Sequence, residues 1–149
     1  MTSFTFIGMA GSGKSTLGRA LSKKIEESFV DTDILIERKF KQSLEELKNS
    51  KGYKFVRLAE EGVILNLKND VAIISTGGSA IYSEKSMKHL KKFSKIIYIS
   101  VPLNIIKNRI EGGKKRGLAV PEGTSIEAVS YTHLRAHETR HDLVCRLLL

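Results

Sequence analysis

The residues with the clearest chemistry are Gly8 to Ser15, which read G-x-x-x-x-G-K-S. Glycines at these positions let the backbone curl so that successive N–H groups face the oxygens of a phosphate. Lys14 can reach the β- and γ-phosphates of a nucleotide, and the Ser15 hydroxyl can bind Mg²⁺. We therefore predict a nucleotide-binding loop, whose binding residues are Gly11, Ser12, Gly13, Lys14, Ser15 and Thr16.

Two aspartates, Asp31 and Asp33, lie at the carboxyl end of a short predicted strand in the stretch FVDTD. Ligands of open α/β sheets bind at this end of the strands. One carboxylate could hold a metal-bound water, and the other could orient or deprotonate an attacking hydroxyl. The pattern also fits a structural role, because Asp33 could cap a helix that begins at Ile34.

Two further stretches could bind an acceptor. Arg57 and Glu60 have the spacing R-x-x-E, in which a glutamate can hold the planar fork of an arginine toward a carboxylate. The alternative is an exposed salt bridge between positions i and i+3 of a helix. Gly77 and Gly78 follow an apolar run, so the backbone can approach a ligand closely there. The alternative is a plain turn between a strand and a helix.

A zinc-site pattern, H-E-x-x-H, occurs at His137, Glu138 and His141. On a helix this spacing places two imidazoles on one face. However, no third ligand follows, and few residues remain to form a cleft. We therefore predict that these residues do not form a zinc protease site.

The segments around these residues alternate between strand and helix. Apolar or β-rich runs predict four strands, within residues 3–9, 29–33, 71–76 and 95–101. Helical spacing predicts helices within residues 14–27, 43–52, 53–68, 83–93 and 102–110. Ser43 and Glu46 have the spacing of a capping box. The alternation predicts a three-layer α/β/α domain with a mostly parallel sheet.

In the predicted helix at residues 53–68, we place five apolar side chains on one buried face: Phe55, Leu58, Ala59, Val63 and Leu67.

The composition indicates one soluble domain: 149 residues, of which 41% are hydrophobic and 28% charged. We find no signal peptide and no apolar run long enough to cross a membrane. The single cysteine is typical of a reducing cytoplasm. The net charge of +9 suits anionic small molecules, because the lysines are scattered along helix faces with few aromatics between them. We expect a cytoplasmic monomer that binds neither nucleic acid nor a membrane.

The ordered set of motifs resembles the shikimate kinase family. The phosphate loop, D-T-D, the QSLEEL helix, F-x-R-x-x-E and the glycine pair occur in the order and approximate spacing of that family, between about Ser3 and Arg116. The resemblance implies a P-loop kinase fold and an ATP- and Mg²⁺-dependent kinase. Its substrate would be a small hydroxylated carboxylic acid, namely shikimate, phosphorylated at the 3-hydroxyl in aromatic amino-acid biosynthesis.

The resemblance also implies roles for individual residues. Asp33 contacts the acceptor hydroxyl, and Asp31 joins Ser15 in serving the magnesium ion. Arg57 binds the shikimate carboxylate. Gly77 and Gly78 would lie beside the acceptor ring. Lys14 and the lid residue Arg116 would neutralise the transferring phosphoryl group.

Two departures from the family pattern keep other functions open. The glycine triplet reads Gly77-Gly78-Ser79, and the lid R-P-L reads Arg116-Gly117-Leu118. The alternatives are a kinase of another small hydroxy acid, a regulatory NTPase that has no acceptor, and a basic protein associated with nucleic acid.

The sequence changes character at about Val129. Residues 129–149 hold three of the four histidines and the only cysteine, have no clear period, and resemble a peptide translated from sequencing-adapter DNA. We predict an incomplete kinase domain at residues 1–128 and a non-native tail at 129–149. With this tail in place of the native sequence, the protein would lack four features that the resemblance implies: the last strand, the last helix, the adenine-contacting loop and the second substrate-binding arginine. We assign neither Arg135 nor Arg140 to that arginine, and we expect an open sheet edge and reduced stability.

Overall fold

A computed structural model of the protein describes residues 2–111, 118–139 and 145–148. Strands β1 to β5 are, in order, Ser3–Ile7, Phe29–Asp31, Ile73–Ser75, Ser94–Ser100 and Cys145–Leu148. Helices α1 to α7 are, in order, Lys14–Ile25, Thr32–Phe40, Leu44–Lys51, Tyr53–Leu65, Glu84–Lys91, Leu103–Glu111 and Ile126–Thr139. A 3₁₀ turn spans Ala80–Tyr82.

The described strands form one five-stranded sheet in the order β2-β3-β1-β4-β5, and every pairing is parallel. Strand β1 is central in the sheet, because the chain passes from it to β2 and β3 on one side and then to β4 and β5 on the other. This reversal of direction makes the carboxyl end of β1 a topological switch point. The phosphate loop follows β1 at this point. The predicted order of strand, glycine loop and helix is therefore confirmed.

Consecutive strand residues face opposite sides of the sheet, and each side is covered by helices. Ile7 and Ile74 pack with Ile64 of α4 and with Leu90 of α5. Their chain neighbours Phe6 and Ile73 belong to a separate cluster, which includes Leu17 and Leu21 of α1. Strands that are apolar on both faces are typical of a buried parallel sheet. The prediction of a three-layer α/β/α domain is confirmed.

Side-chain caps at two of the helix starts bear directly on the predictions. The capping box at α3 is present as predicted, because Ser43 Oγ accepts from Glu46 N at 3.2 Å and Ser43 N donates to Glu46 Oε2 at 2.7 Å. At α2 the alternative role of Asp33, as the cap of a helix that begins at Ile34, is wrong. The N-cap is Asp31, whose Oδ1 accepts from the backbone N–H groups of Asp33 and Ile34, and Asp33 already lies within the helix.

The predicted buried face of α4 is also wrong in part. Leu58 is 66% exposed, whereas the buried residues of the helix are Val56, Ala59, Glu60, Val63 and Ile64. Apolar residues stand next to each other in the sequence of this helix, so the apolar pattern fits either of two neighbouring helix faces equally well. Packing of α4 against α2 and α3 selects the face that brings Glu60 inward.

The last part of the chain differs most from expectation. Ser125 caps α7 by accepting from Ala128 N at 3.1 Å, so the helix begins before the predicted boundary at Val129. Val129, His133 and Ala136 form its inner face. Strand β5 pairs in parallel with residues Ile97–Ser100 of β4. The prediction that the outer strand is missing, and with it the open edge at β4, is therefore wrong.

Within the described residues, no helix combines the length and the hydropathy that a membrane crossing requires.

Candidate active site

The phosphate loop curves through backbone conformations that favour glycine. Gly8, Gly11 and Gly13 have φ angles of 145°, 79° and 92°. A β-carbon on Gly8 would also lie 2.7 Å from the carbonyl oxygen of Ile99. The loop ends at Gly13, the N-cap of α1, so the positive end of the helix dipole faces the phosphate-binding region.

Two cationic side chains contact the backbone of this loop. Lys14 is 6% exposed, and its Nζ donates to the carbonyl oxygens of Gly8 at 2.8 Å and Met9 at 2.7 Å. Arg109 of α6 donates from Nη1 to the carbonyl oxygen of Gly11 at 3.0 Å. Sequence reasoning found Lys14 through the motif, whereas Arg109 lies far along the chain and has no local pattern.

The two residues predicted to bind magnesium, Ser15 and Asp31, are both neighbours of Ser75 on β3. Ser15 Oγ and Ser75 Oγ are 3.3 Å apart, and Ser75 pairs in register with Asp31. Asp31 Oδ1 accepts two backbone N–H groups, and its Oδ2 has no hydrogen-bond partner among the described residues. Hydroxyl and carboxylate oxygens completed by water suit Mg²⁺. These residues therefore fit the ion.

Gly77 lies between two carboxylates. A β-carbon there would overlap Asp33 Oδ1 and lie 2.7 Å from Glu60 Oε1. Its backbone N–H donates to Thr32 Oγ1 at 2.8 Å, and the Thr32 hydroxyl donates to Glu60 Oε1 at 3.2 Å. The glycine turn, the start of α2 and the middle of α4 are thereby joined at one point.

Glu60 is a buried carboxylate whose partners differ from those predicted. It is 2% exposed and accepts from the hydroxyls of Thr32 and Ser79. Burial raises the pKa of Glu60, while hydrogen bonds from Ser79 and Thr32 and the charge of Lys14 partly oppose that shift. Neither the predicted hold of Glu60 on Arg57 nor the alternative exposed salt bridge is correct. The serine in place of a third glycine supplies one of the hydroxyls.

Arg57 is held by aromatic rings and a backbone carbonyl. Its Cζ lies 3.9 Å from the ring centroid of Tyr82 and 5.0 Å from that of Tyr53. Its Nε donates to the carbonyl oxygen of Ala119 at 2.7 Å. Burial raises the pKa of Tyr82, and the charge of Arg57 partly opposes that shift.

Gly78 joins the phosphate loop to α7. A β-carbon on Gly78 would lie 3.4 Å from the backbone nitrogen of Ala10. The Gly78 carbonyl oxygen lies 2.8 Å from His133 Nε2, while His133 Nδ1 lies 2.8 Å from the carbonyl oxygen of Val129. Burial lowers the pKa of His133, and the charges of Lys14 and Arg57 lower it further, although the two carbonyl contacts raise it. Sequence reasoning missed this role.

Several predicted residues lie elsewhere. Arg116, Arg140 and His141 are outside the described residues. Arg135 is on the exposed side of α7, where its Nη1 donates to the Tyr131 hydroxyl at 3.2 Å. The other predicted site residues follow the carboxyl ends of β1, β2 and β3, or belong to α4, which packs against them.

A parallel sheet with a lysine-containing glycine loop at its switch point is the fold of the P-loop nucleotide-binding proteins, which include the P-loop kinases. The family model for shikimate kinase matches residues 10–144. The chain belongs to the shikimate kinase family.

Individual relatives agree with the family match. The chain is 34% identical to a shikimate kinase of Clostridium botulinum (strain 657 / Type Ba4) over 149 residues, covering 97% of this chain and 88% of that relative. It is 29% identical to a shikimate kinase of Alkaliphilus oremlandii, covering 95% of this chain and 96% of that one. The solved structure of shikimate kinase from Acinetobacter baumannii in complex with shikimate has a TM-score of 0.84 at 25% identity, covering 99% of this chain and 83% of that chain.

Proposed function

We propose that this protein transfers the γ-phosphoryl group of ATP to the 3-hydroxyl of shikimate in the cytoplasm. One observation carries the proposal: two successive glycines lie between the phosphate loop and the acceptor-side carboxylate. Gly78 approaches Ala10 of the loop, and Gly77 approaches Asp33 Oδ1. A nucleotide on the loop would therefore be adjacent to a hydroxyl bound at Asp33.

On the donor side, the loop amides and Lys14 bind the phosphate oxygens and offset their charge. Ser15 and Asp31 are the residues that would hold magnesium, Asp31 through water. The ion, when bound by these residues, would supply positive charge that offsets the charge of the phosphates. The contribution of the chain is to position the phosphates and to offset their charge, and these two effects account for most of phosphoryl-transfer catalysis.

On the acceptor side, Asp33 orients the attacking hydroxyl and can accept its proton. Arg57 binds the carboxylate of the acceptor. Its Nε is already engaged by the Ala119 carbonyl oxygen, and its Nη atoms have no hydrogen-bond partner among the described residues, so they are available to the acceptor. Gly77 and Gly78 let the acceptor ring approach the backbone. Arg116, which lies outside the described residues, would neutralise the transferring phosphoryl group.

Acceptor identity is tested by coupled ADP release from the full 149-residue protein. Shikimate and a panel of other small hydroxy acids are compared at saturating ATP and Mg²⁺. We expect ADP release that depends on shikimate. Turnover with another acid alone would reject shikimate, and ADP release indifferent to every acid would indicate an NTPase without an acceptor.

Replacing Arg57 tests the carboxylate site. Arg57→Ala is expected to raise the KM for shikimate by about tenfold to a hundredfold, the range for loss of a charge-assisted hydrogen bond, with little change in the KM for ATP. The control is Arg38→Ala, which removes an exposed cation from α2. An unchanged shikimate KM in Arg57→Ala would remove this residue from the site.

A further inference from the structure

The guanidinium of Arg57 must be held in place by a group other than Glu60, because this glutamate does not contact it. Glu60 Oε1 accepts from the hydroxyl of Thr32, and Oε2 accepts from the hydroxyl of Ser79. Both carboxylate oxygens are therefore engaged away from Arg57. An arginine without a fixed guanidinium loses rotamer freedom when it binds a carboxylate, which weakens binding.

Of the two tyrosine rings beside the guanidinium of Arg57, that of Tyr82 is the closer. The 3.9 Å from Cζ to the ring centroid is a stacking distance, well inside the range of a cation–π contact. Tyr53, one turn earlier on α4, lies farther away at 5.0 Å. The Nε bond to Ala119 fixes the rotation of the guanidinium within its plane.

The ring of Tyr82 is itself immobilised by its surroundings. It ends the 3₁₀ turn that follows the glycine pair, and it packs against the apolar cluster that contains Met9 and Ile106. The ring of His133 meets it edge to face, with centroids 5.8 Å apart and an interplanar angle of 84°. A ring held in this way can fix the plane of a cation stacked on it.

We propose that Tyr82 is a positioning residue for acceptor binding, which holds the Arg57 guanidinium so that its two Nη groups meet a carboxylate as a fork. This inference rests on the proposed function, since it assumes that Arg57 binds the acceptor. It adds that recognition depends on the π face of a residue outside the family motifs quoted above. It further requires the acceptor to carry a carboxylate.

The test measures the Kd for shikimate and the KM for shikimate and ATP in full-length variants. Tyr82→Leu and Tyr82→Met, which remove the π face, are expected to raise the Kd and KM for shikimate about five- to thirtyfold. Tyr82→Phe keeps the face and should stay within about twofold of the wild type. The KM for ATP should not change in any variant. Tyr53→Leu is the matched control, with a smaller expected effect because its ring is farther from Arg57.

A purely structural role for Tyr82 would change the affinity for ligands with and without a carboxylate alike. The carboxamide analogue of shikimate has no anionic group for the fork, so its affinity should be the same in Tyr82→Phe and Tyr82→Leu. Equal shikimate affinity in wild type and Tyr82→Leu, or equal losses in Tyr82→Phe and Tyr82→Leu, would overturn the inference. Wild-type protein that binds no shikimate would instead overturn the proposed function.

Discussion

At the scale of single residues, Gly77 has the least space for a side chain among the described glycines. Oxygen atoms of the Asp33 and Glu60 carboxylates lie so close to the position of a β-carbon on this residue that a methyl group does not fit. Gly77→Ala is expected to destabilise the fold by about 1–3 kcal/mol through overpacking. Displacement of Asp33 should also lower kcat/KM for shikimate by about a hundredfold. Denaturant unfolding and the coupled assay measure the two effects.

Gly62 offers a matched control for that substitution. It lies within α4, and nothing occupies the space around a β-carbon there. Gly62→Ala should leave the kinetics unchanged and stabilise the protein by up to about 1 kcal/mol, because alanine is the better helix former. If Gly77→Ala retained wild-type stability and activity, the close approach of the two carboxylates would be incorrect.

Residues within the local phosphate motif could be identified from the sequence, but long-range partners could not. The loop between Gly8 and Ser15 is defined by spacing alone, and the structure has the expected strand and helix on either side of it. Arg109 and Tyr82 are far from their partners along the chain, and no pattern in one sequence pairs them. The spacing predicts that Glu60 holds Arg57, but Glu60 accepts from Thr32 and Ser79 instead. The sequence does not give these partners, because the rotation of α4 about its axis depends on packing.

Among the described helices, α7 contacts the glycine turn through one histidine, His133. The folded protein holds His133 with a pKa below its ordinary value of 6.5, chiefly because of burial. The unfolded chain therefore binds a proton more readily than the folded one. The stability that His133 contributes is present above about pH 6.5 and is lost as the pH falls below that value.

Thermal unfolding between about pH 7.5 and about pH 5 tests the role of this helix. The Tm of the wild type should fall over this range, and His133→Gln should reduce the dependence because glutamine does not titrate. His89→Gln is the control, since His89 lies on α5 and contacts Leu67 instead of the glycine turn. An identical pH dependence in wild type and His133→Gln would contradict the contact with Gly78.

Elements with a strong local signal were predicted well, and short or partly polar ones were not. The capping box at α3 and the buried strands β1, β3 and β4 carry their signals within a few residues. The inner face of α7 contains a histidine, so it has no continuous apolar stripe. Strand β5 has only four residues, too few for a period to be recognised, and its pairing with β4 is a tertiary contact.

At the scale of the whole molecule, the origin of residues 129–149 stays a prediction. The family match extends to residue 144, and the segment contains most of α7 and the edge strand β5. We predict that an independent reading of the gene beyond codon 128 gives a different sequence. The same codons in an independent assembly would show that the segment is native.

The sheet brings both halves of the proposed reaction to one edge. The phosphate loop follows the central strand, and the glycine pair follows its neighbour β3, so donor and acceptor sites are adjacent because of strand order. Every assignment on the acceptor side depends on a nucleotide bound at the loop. Without that nucleotide, Asp33 and Arg57 would have no phosphoryl group to direct.

The most direct test is a calorimetric titration of ATP into the folded 149-residue protein, with and without Mg²⁺. The account predicts saturable binding at a single site that weakens by at least about tenfold when magnesium is removed. Absence of binding at about millimolar ATP, from protein shown to be folded, would contradict the account.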